Sequence, residues 1–430
     1  MKNRPLLTVF ITVLIDLIGF GILIPVIPEL FNKSGNYFLL PGDPWFVDNR
    51  FIILGILTAA YPIAQFIASP ILGQVSDKYG RKRILAICLL GTAVGHALFA
   101  IGIHNRDLGL LFFARIFDGI TGGNISVAQA VIADVSTPKT RQKNFGLIGA
   151  AFGLGFILGP FLGGVLASSQ VVSWFDATTP FYFAAALSMI NVGLVLKLLP
   201  ETLVHINDNL KLTPAKSIQN IIKAFRIKSA LPLFITVFLF QGGFSFYSTF
   251  SSTYLLQRFG LSERDIGLFF AYIGLWIVIT QGFILRKIAG KFPEHKIVRI
   301  SLFIIAGALF LYPAMNHLTY LFILVPFYAI PFGITNATIT SLVSRSVGPQ
   351  LQGEILGINS SFLALAQAIP PIIAGIIVSG SAAGASITVS SIIMALAGVY
   401  FMLNYRPHVA HSGQHSRPKD PGLFEETLAH

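Results

Sequence analysis

Charge is what this sequence has least of. Only 11% of its 430 residues are Asp, Glu, Lys or Arg, against about 25% in soluble chains. Thirty basic and 18 acidic residues cannot clothe the surface of a water-soluble protein of this size, which argues against a soluble enzyme, a nucleic-acid binder or a disordered scaffold. Cysteine occurs once, at Cys88, so no intrachain disulfide can form. No P-loop is present, which removes ATP as an energy source. Ser, His and acidic residues are scattered without nucleophile–base spacing, so no enzyme activity and no cofactor is expected. The late histidines His408, His411, His415 and His430 lack zinc-ligand spacing, and no metal is expected. What the chain has in excess is apolar side chains, 54% of the total, with a mean hydropathy of +0.74. A polytopic membrane protein is the class that remains.

A helix needs roughly 20 mostly apolar residues to cross a ~30 Å hydrocarbon core. Runs of that kind predict twelve spans: 7–30, 51–73, 84–103, 109–134, 144–168 and 179–199, then 230–256, 265–285, 297–315, 319–344, 354–379 and 385–404. The first run is too long for a signal peptide, contains Asp16, Pro25 and Pro28, and has no small-residue cleavage site. It reads as a retained helix. Lys and Arg then set the orientation. Of the 30, Lys33, Arg50, Arg106, Arg258 and Arg264 fall on one side and Arg115 lies within a span. The other 24 lie on the side of the two termini, which are therefore expected in the cytoplasm of a plasma (bacterial inner) membrane. The net charge of +12 is mostly this label, and no nucleic-acid partner is implied.

The chain also repeats itself. Gly146, Pro160 and Gly164 around the fifth span, shifted by 211 residues, meet Gly357, Pro371 and Gly375 around the eleventh. Phe10-Ile-Thr-Val13 echoes Phe234-Ile-Thr-Val237, and Gly19 meets Gly243. A six-plus-six division with ordered echoes is the mark of a duplicated carrier. The expected fold is all-α, with twelve transmembrane helices in two six-helix bundles related by a pseudo-two-fold axis. The expected parts are an N-terminal bundle at 1–199, a linker at 200–229, a C-terminal bundle at 230–404 and a disordered tail at 405–430. In the linker, Ile218, Ile221, Ile222 and Phe225 recur at helical spacing opposite Lys216, Lys223 and Arg226. That pattern suits a basic amphipathic helix on the leaflet surface, either coupling the halves or, the plainer and preferred reading, simply linking them.

The loop after the second span reads Gly73-Gln-Val-Ser-Asp77-Lys-Tyr-Gly80-Arg81-Lys82-Arg83. Gly73 would permit close helix approach, Gly80 a tight turn, and the basic cluster an anchor at anionic headgroups. So specified a string resembles the cytoplasmic-loop signature of the major facilitator superfamily. Within that family the drug:proton antiporters of twelve spans offer a further likeness. The fifth span, Gly149-Ala-Ala-Phe-Gly153-Leu-Gly155-Phe-Ile-Leu-Gly159-Pro160-Phe-Leu-Gly163-Gly164, is similar to their antiporter motif. Its small residues leave a groove for backbone-to-backbone packing and Pro160 bends the helix. A plain packing helix could use the same chemistry; the ordered Gly-Pro and Gly-Gly pairs favour the antiporter. Arg115-Ile-Phe-Asp118-Gly-Ile-Thr-Gly-Gly-Asn124, Tyr61-Pro-Ile-Ala-Gln65 and Asp16-Leu-Ile-Gly-Phe-Gly21 are similar to the tetracycline-exporter group. That group has acidic residues in its third and ninth spans, and 84–103 and 297–315 here have none, which puts tetracycline in doubt as the substrate.

Asp16 and Arg115 lie furthest from any span end, and each costs roughly 2.5–3.5 kcal/mol at mid-bilayer. Their depths allow a pair, read either as a structural tie or as a switch in which Asp16 takes up a proton and releases Arg115. Burial and a neighbouring guanidinium act in opposite senses on a carboxyl group's hold on its proton, as a reversible site requires. Asp118, three residues from Arg115, is an alternative partner. By resemblance, Asp134 would join Asp77 and Arg81 in a charge cluster that latches the outward-facing state. His96 could titrate near neutral pH, although hydrogen-bonded packing is the preferred reading. Candidate cavity-lining residues are Gln65 and Asn124 in the first half and Gln241, Phe244, Phe246, Tyr247, Trp276, Gln281, Asn336, Asn359 and Gln367 in the second. Such a wall suits an amphipathic organic molecule. The expected activity is proton-coupled export of a drug or a secreted metabolite such as a siderophore by a monomer, with small molecule, protons and lipid bilayer as its partners. A symporter or uniporter of a nutrient or organic anion, and a non-transporting receptor or scaffold, are the alternatives.

Overall fold

The computed structural model describes residues 4–31, 44–137, 140–203, 213, 215–228, 230–288, 291–346 and 352–406. The expected tail beyond 406 and linker residues 204–212 lie outside them. The N-terminal half runs α1 (Arg4–Leu30), α2 (Pro44–Tyr79), α3 (Arg81–Asn105), α4 (Leu108–Thr121), α5 (Ile125–Asp134), α6 (Arg141–Ala167) and α7 (Thr179–Leu198). A linker helix, α8 (Lys216–Arg226), leads to α9 (Leu231–Phe259), α10 (Glu263–Ile279), α11 (Leu285–Ile288), α12 (Glu294–Leu311), α13 (Leu318–Arg345), α14 (Gln352–Ser379) and α15 (Gly384–Asn404).

Eleven of the described helical stretches are long and apolar enough to cross a bilayer. The twelfth expected span, 109–134, is divided: α4 ends at Thr121, Gly122–Asn124 forms a 3-10 turn, and α5 completes the crossing. Local chemistry explains several other boundaries. Asp107 accepts the Leu110 amide at 3.0 Å to start α4, and a Ser262–Asp265 capping box starts α10. Gly80, at φ 96°, makes the turn between α2 and α3 that a side chain would resist. Helices are apolar on both faces, as a lipid-bathed bundle requires. On α3, Leu85, Leu89 and Phe99 are buried while Ile87, Leu90 and Val94 face outward.

The duplication is visible in the packing. In the first half α1 packs on α6 and α7, α3 on α4 and α7, and α2 on α4. In the second, α9 packs on α14 and α15, α12 on α13 and α15, and α10 on α13. Each pair in one half has its counterpart in the other. The halves meet along two equivalent seams, α6 with α10 and α14 with α2. Of the 211-residue repeat, Pro160 and Gly164 lie on the first seam and Pro371 and Gly375 on the second. A methyl group on Gly267 would come 2.7 Å from the Pro160 carbonyl oxygen, and one on Gly375 would come 2.5 Å from that of Phe51. These distances admit glycine alone.

The α6–α10 seam is not parallel. From the end away from the termini, Gly164 touches Glu263 and Gly267, and Ile157 touches Gly274. At Gly153 an added methyl would be 3.6 Å from Gln281 and Val278, and at Gly149 nothing described lies within 4 Å. This seam is closed at the end away from the termini and opens toward them.

Candidate functional site

The break in the fourth span builds the site. Three residues of 3-10 turn put Asn124 at the start of α5, buried and facing α1, where its Nδ2 donates to Asp16 Oδ2 at 2.6 Å. The break frees the Gly122 carbonyl, and Gln65 Nε2 of α2 donates to it at 2.8 Å. Small residues make this possible, since an added methyl on Gly123 would come 2.9 Å from the Ser69 backbone. The second oxygen of Asp16, Oδ1, is buried without a hydrogen-bond partner.

The expected pair of Asp16 with Arg115 is not what the structure contains. Arg115 stays on its own helix, 3.6 Å from Asp118 Oδ2, with its guanidinium 4.7 Å above the Tyr61 ring. Asp16 is held instead by a neutral amide. Arg115 and Asp118 are one turn apart, and the break after Thr121 rotates Asn124 rather than Arg115 toward α1. Both members of the pair are buried, at 3% and 6% exposure. Removal of either would leave an uncompensated charge.

His96 joins this cluster, which the sequence does not disclose because a lone polar residue reveals its depth and not its neighbours. Its Nδ1 donates to the Thr92 carbonyl at 2.9 Å. Nε2 is buried without a partner and lies against Gly19 of α1. His96, Arg115 and Asp118 line one small cavity with Gly95, Phe99 and Phe181. It has room on the order of one water molecule.

At the termini end, Arg81 gathers the signature residues. It lies 2.5 Å from Asp77 and 3.1 Å from Asp134 and donates to Ser76 Oγ at 2.6 Å. The sequence reading missed Glu201, just past α7, whose carboxylate accepts the Arg81 and Lys82 amides at 3.0 and 3.2 Å. It thereby caps α3, where an anion meets the helix dipole. Thr202 Oγ1 adds a bond to Asp134 at 3.1 Å. Asp77, Arg81 and Asp134 belong to the N-terminal half, and Glu201 and Thr202 follow directly on its last helix. Gly73 is not needed for close approach, since an added methyl would sit 3.5 Å from Ser126 Oγ, an ordinary contact.

The glycines of the fifth span divide by face. Gly155, Gly159 and Gly163 pack against Leu17, Gly21 and Ile22 of α1, while Gly164 packs against α10. In the C-terminal half, Gln241 donates to Asn336 at 3.0 Å, and Phe244 lies 4.3 Å from Phe332 and 5.4 Å from Phe156 across the seam. Gln281 sits in a π-helical turn, Thr280–Ile284, a local irregularity common at functional sites. Trp276 Nε1 and Asn359 Oδ1 are buried without partners; Gln367 is partly buried on α14. Tyr247 departs from expectation: it is 1% exposed with its hydroxyl 2.7 Å from that of Tyr328, so it belongs to the interior of its half. Phe246, 4% exposed, does too. Gln65 and Asn124 are likewise committed to protein partners.

Two six-helix halves in pseudo-symmetric contact along two seams, one of them open toward the termini, with buried charges inside one half, define a membrane transporter. The chain belongs to the Major Facilitator Superfamily, whose family signature matches residues 9–371. It is 30% identical over 386 residues to the class H tetracycline resistance protein of Pasteurella multocida, covering 89% of this chain and 90% of that one. It is 28% identical over 382 residues to multidrug resistance protein 2 of Bacillus subtilis, covering 86% and 88%. The crystal structure of the human organic anion transporter MFSD10 (TETRAN) superposes with a TM-score of 0.71 at 25% identity, over 93% of this chain and 99% of that one. It is a multi-pass membrane transporter and not an enzyme.

Proposed function

We propose that this transporter exports an amphipathic small organic molecule in exchange for protons. The observation that carries the reading is Asp16: a mid-span carboxyl group tied to one neutral donor, Asn124, with its other oxygen buried and without a hydrogen-bond partner. A proton can be placed on Oδ1 without breaking the existing bond. Arg115 is balanced locally by Asp118, so gain and loss of a proton at Asp16 changes the net charge of the bundle interior. Protonation of the N-terminal half and binding of cargo would then alternate, while the halves rock about the glycine seams. One proton entering down 100 mV supplies about 2.3 kcal/mol, enough for modest accumulation. With both termini in the cytoplasm of a bacterial inner membrane, the splayed end faces inward, as an exporter awaiting its cargo requires. The drug-resistance relatives support the export direction, and the amide and aromatic residues Gln281, Phe244 and Phe156 beside the seam suit an amphipathic cargo. The sequence cluster of Asp77, Arg81 and Asp134 is read as a gate element, and the fifth-span glycines as the hinge.

The test is proton movement in proteoliposomes loaded with buffer and a pH dye. Addition of a lipophilic cationic dye as substrate should release lumenal protons with the wild type and not with Asp16→Asn. Full gradient-driven transport by Asp16→Asn would sink the proton assignment. A second reading, carriage of an organic anion, rests on the likeness to human MFSD10 and on the buried guanidinium of Arg115. An organic anion transported in place of the cationic dye would favour it.

A further inference from the structure

The linker helix α8 is built for three surroundings. Its residues advance 100° each around the axis and sort into three arcs. Ser217, Asn220 and Ala224 form a buried arc, at 2, 7 and 0% exposure. Ile218, Ile222 and Phe225 form a second, 58, 52 and 58% exposed. Lys216, Gln219, Lys223 and Arg226 form the third. The polarity is inverted from that of a soluble surface helix, because the face turned to the protein is small and polar while the large apolar side chains point away. Three faces about 120° apart fit a line where protein, hydrocarbon and water meet.

The buried arc also joins the halves. Ser217 Oγ donates to the Phe66 carbonyl of α2, and Asn220 Nδ2 donates to Ser361 Oγ of α14 at 3.3 Å. Ahead of the helix, the Thr213 amide donates to Gln74 Oε1 of α2 at 2.9 Å. These contacts lie on the termini side of the α2–α14 seam, the end at which the α6–α10 seam splays. No acidic residue occurs in α8, and Lys228 follows it.

We propose that α8 is a clamp seated by anionic phospholipid. Ile218, Ile222 and Phe225 enter the acyl boundary, and the basic arc, with Lys216 and Arg226 as its principal contacts, binds headgroup phosphates. Anionic lipid thereby holds α8 across the α2–α14 seam and favours the spacing of the halves seen here, in which α8 bonds α2 and α14 at once. Lipids without net charge leave the clamp loosely seated. The proposal does not depend on proton coupling or on the identity of the cargo.

The full chain in a Cys88→Ser background, spin-labelled at Tyr79→Cys and Lys287→Cys, reports the separation of the halves at the termini end by electron–electron double resonance. The label positions are exposed and outside the clamp. In nanodiscs of phosphatidylcholine with one-third phosphatidylglycerol, the long distance should dominate. In phosphatidylcholine alone its share relative to the shorter distance should fall, by roughly fivefold per lost basic contact. Lys216→Gln with Arg226→Gln should reproduce that fall in the anionic discs, with an unchanged gel-filtration profile. Ser217→Ala with Asn220→Ala, which unseats the helix but keeps its charge, should do the same. Equal distance distributions in the two lipids overturn the proposal, as does an unaltered distribution in the Gln variant. Recovery of the long distance in phosphatidylcholine discs by soluble glycerol phosphate overturns it too, since a free anion and not a lipid surface would then be the ligand.

Discussion

Asp16 of α1 is bonded to Asn124 beside the break in the fourth span, and the equivalent helices of the second half are joined by Gln241 of α9 and Asn336 of α13. One half ties its first and fourth spans with an acid and an amide, the other with two amides. The fourth span is broken in the first half, whereas α13 runs unbroken over 28 residues. The buried ion pair Arg115–Asp118 lies beside the break, and no ion pair occupies a comparable depth among the described residues of the second half. The same fold therefore carries a titratable interior on one side and an amide and aromatic interior on the other. On the proposed reading, the first half handles protons and the second supplies surface for the cargo.

The largest expected effect follows from removing the charge balance that distinguishes the first half. Arg115→Gln leaves Asp118 buried and unpaired, at a cost of about 3–5 kcal/mol. The double variant with Asp118→Asn should regain most of it. Thermal unfolding in detergent measures both, and equal destabilisation of single and double variants would show that the pair is not the source. The seams come next, because there the halves should behave alike. Gly164→Leu and Gly375→Leu each force a side chain into backbone, at about 1–3 kcal/mol, and both should block transport. Gly149→Leu, in the splayed region, should be tolerated for folding. Unequal seams would mean that the halves do not rock symmetrically.

A smaller and more pointed effect tests whether the amide pair is the silent counterpart of the acid one. Gln241→Glu places a carboxyl group beside Asn336, whose amide can turn so that Nδ2 donates to it as Asn124 Nδ2 donates to Asp16. Transport by this variant should acquire an added dependence on external pH while the wild-type dependence persists. Initial rates across a pH series in proteoliposomes decide it; superimposable profiles would confine proton handling to the first half.

The span pattern was legible because apolar runs of the required length are governed by composition alone. The 211-residue echo was legible for a related reason: Pro160, Gly164, Pro371 and Gly375 are the residues that backbone contact at the two seams demands. The partners of the buried charges were not. Whether Arg115 or Asn124 turns toward Asp16 depends on three residues of 3-10 geometry, and Gly-Gly-Asn in an apolar run reads equally well as continuous helix. His96 and Glu201 reach their neighbours through tertiary packing, with no spacing in the chain to announce it. Amphipathicity placed α8, yet which of its faces meets the protein depended on the small polar residues Ser217 and Asn220 rather than on the apolar ones.

The smallest prediction compares how the two halves fasten the start of their third spans. Glu201 caps α3 through the Arg81 and Lys82 amides, whereas α12 begins at Glu294, which pairs with Arg345. The side chains of that second pair are 40% and 50% exposed, so solvent screens it and its worth is about 0–1 kcal/mol. The Glu201 carboxylate meets unsatisfied amides at a helix N-terminus, an arrangement worth about 0.5–2 kcal/mol. Glu201→Gln should therefore lower the unfolding midpoint more than Glu294→Gln does. High salt should erase the effect of Glu294→Gln and leave most of that of Glu201→Gln, because the amide bonds survive screening. If salt abolishes both equally, Glu201 acts as a surface charge and not as a cap, and the signature loop in this half is held by Arg81 with Asp77 and Asp134 alone.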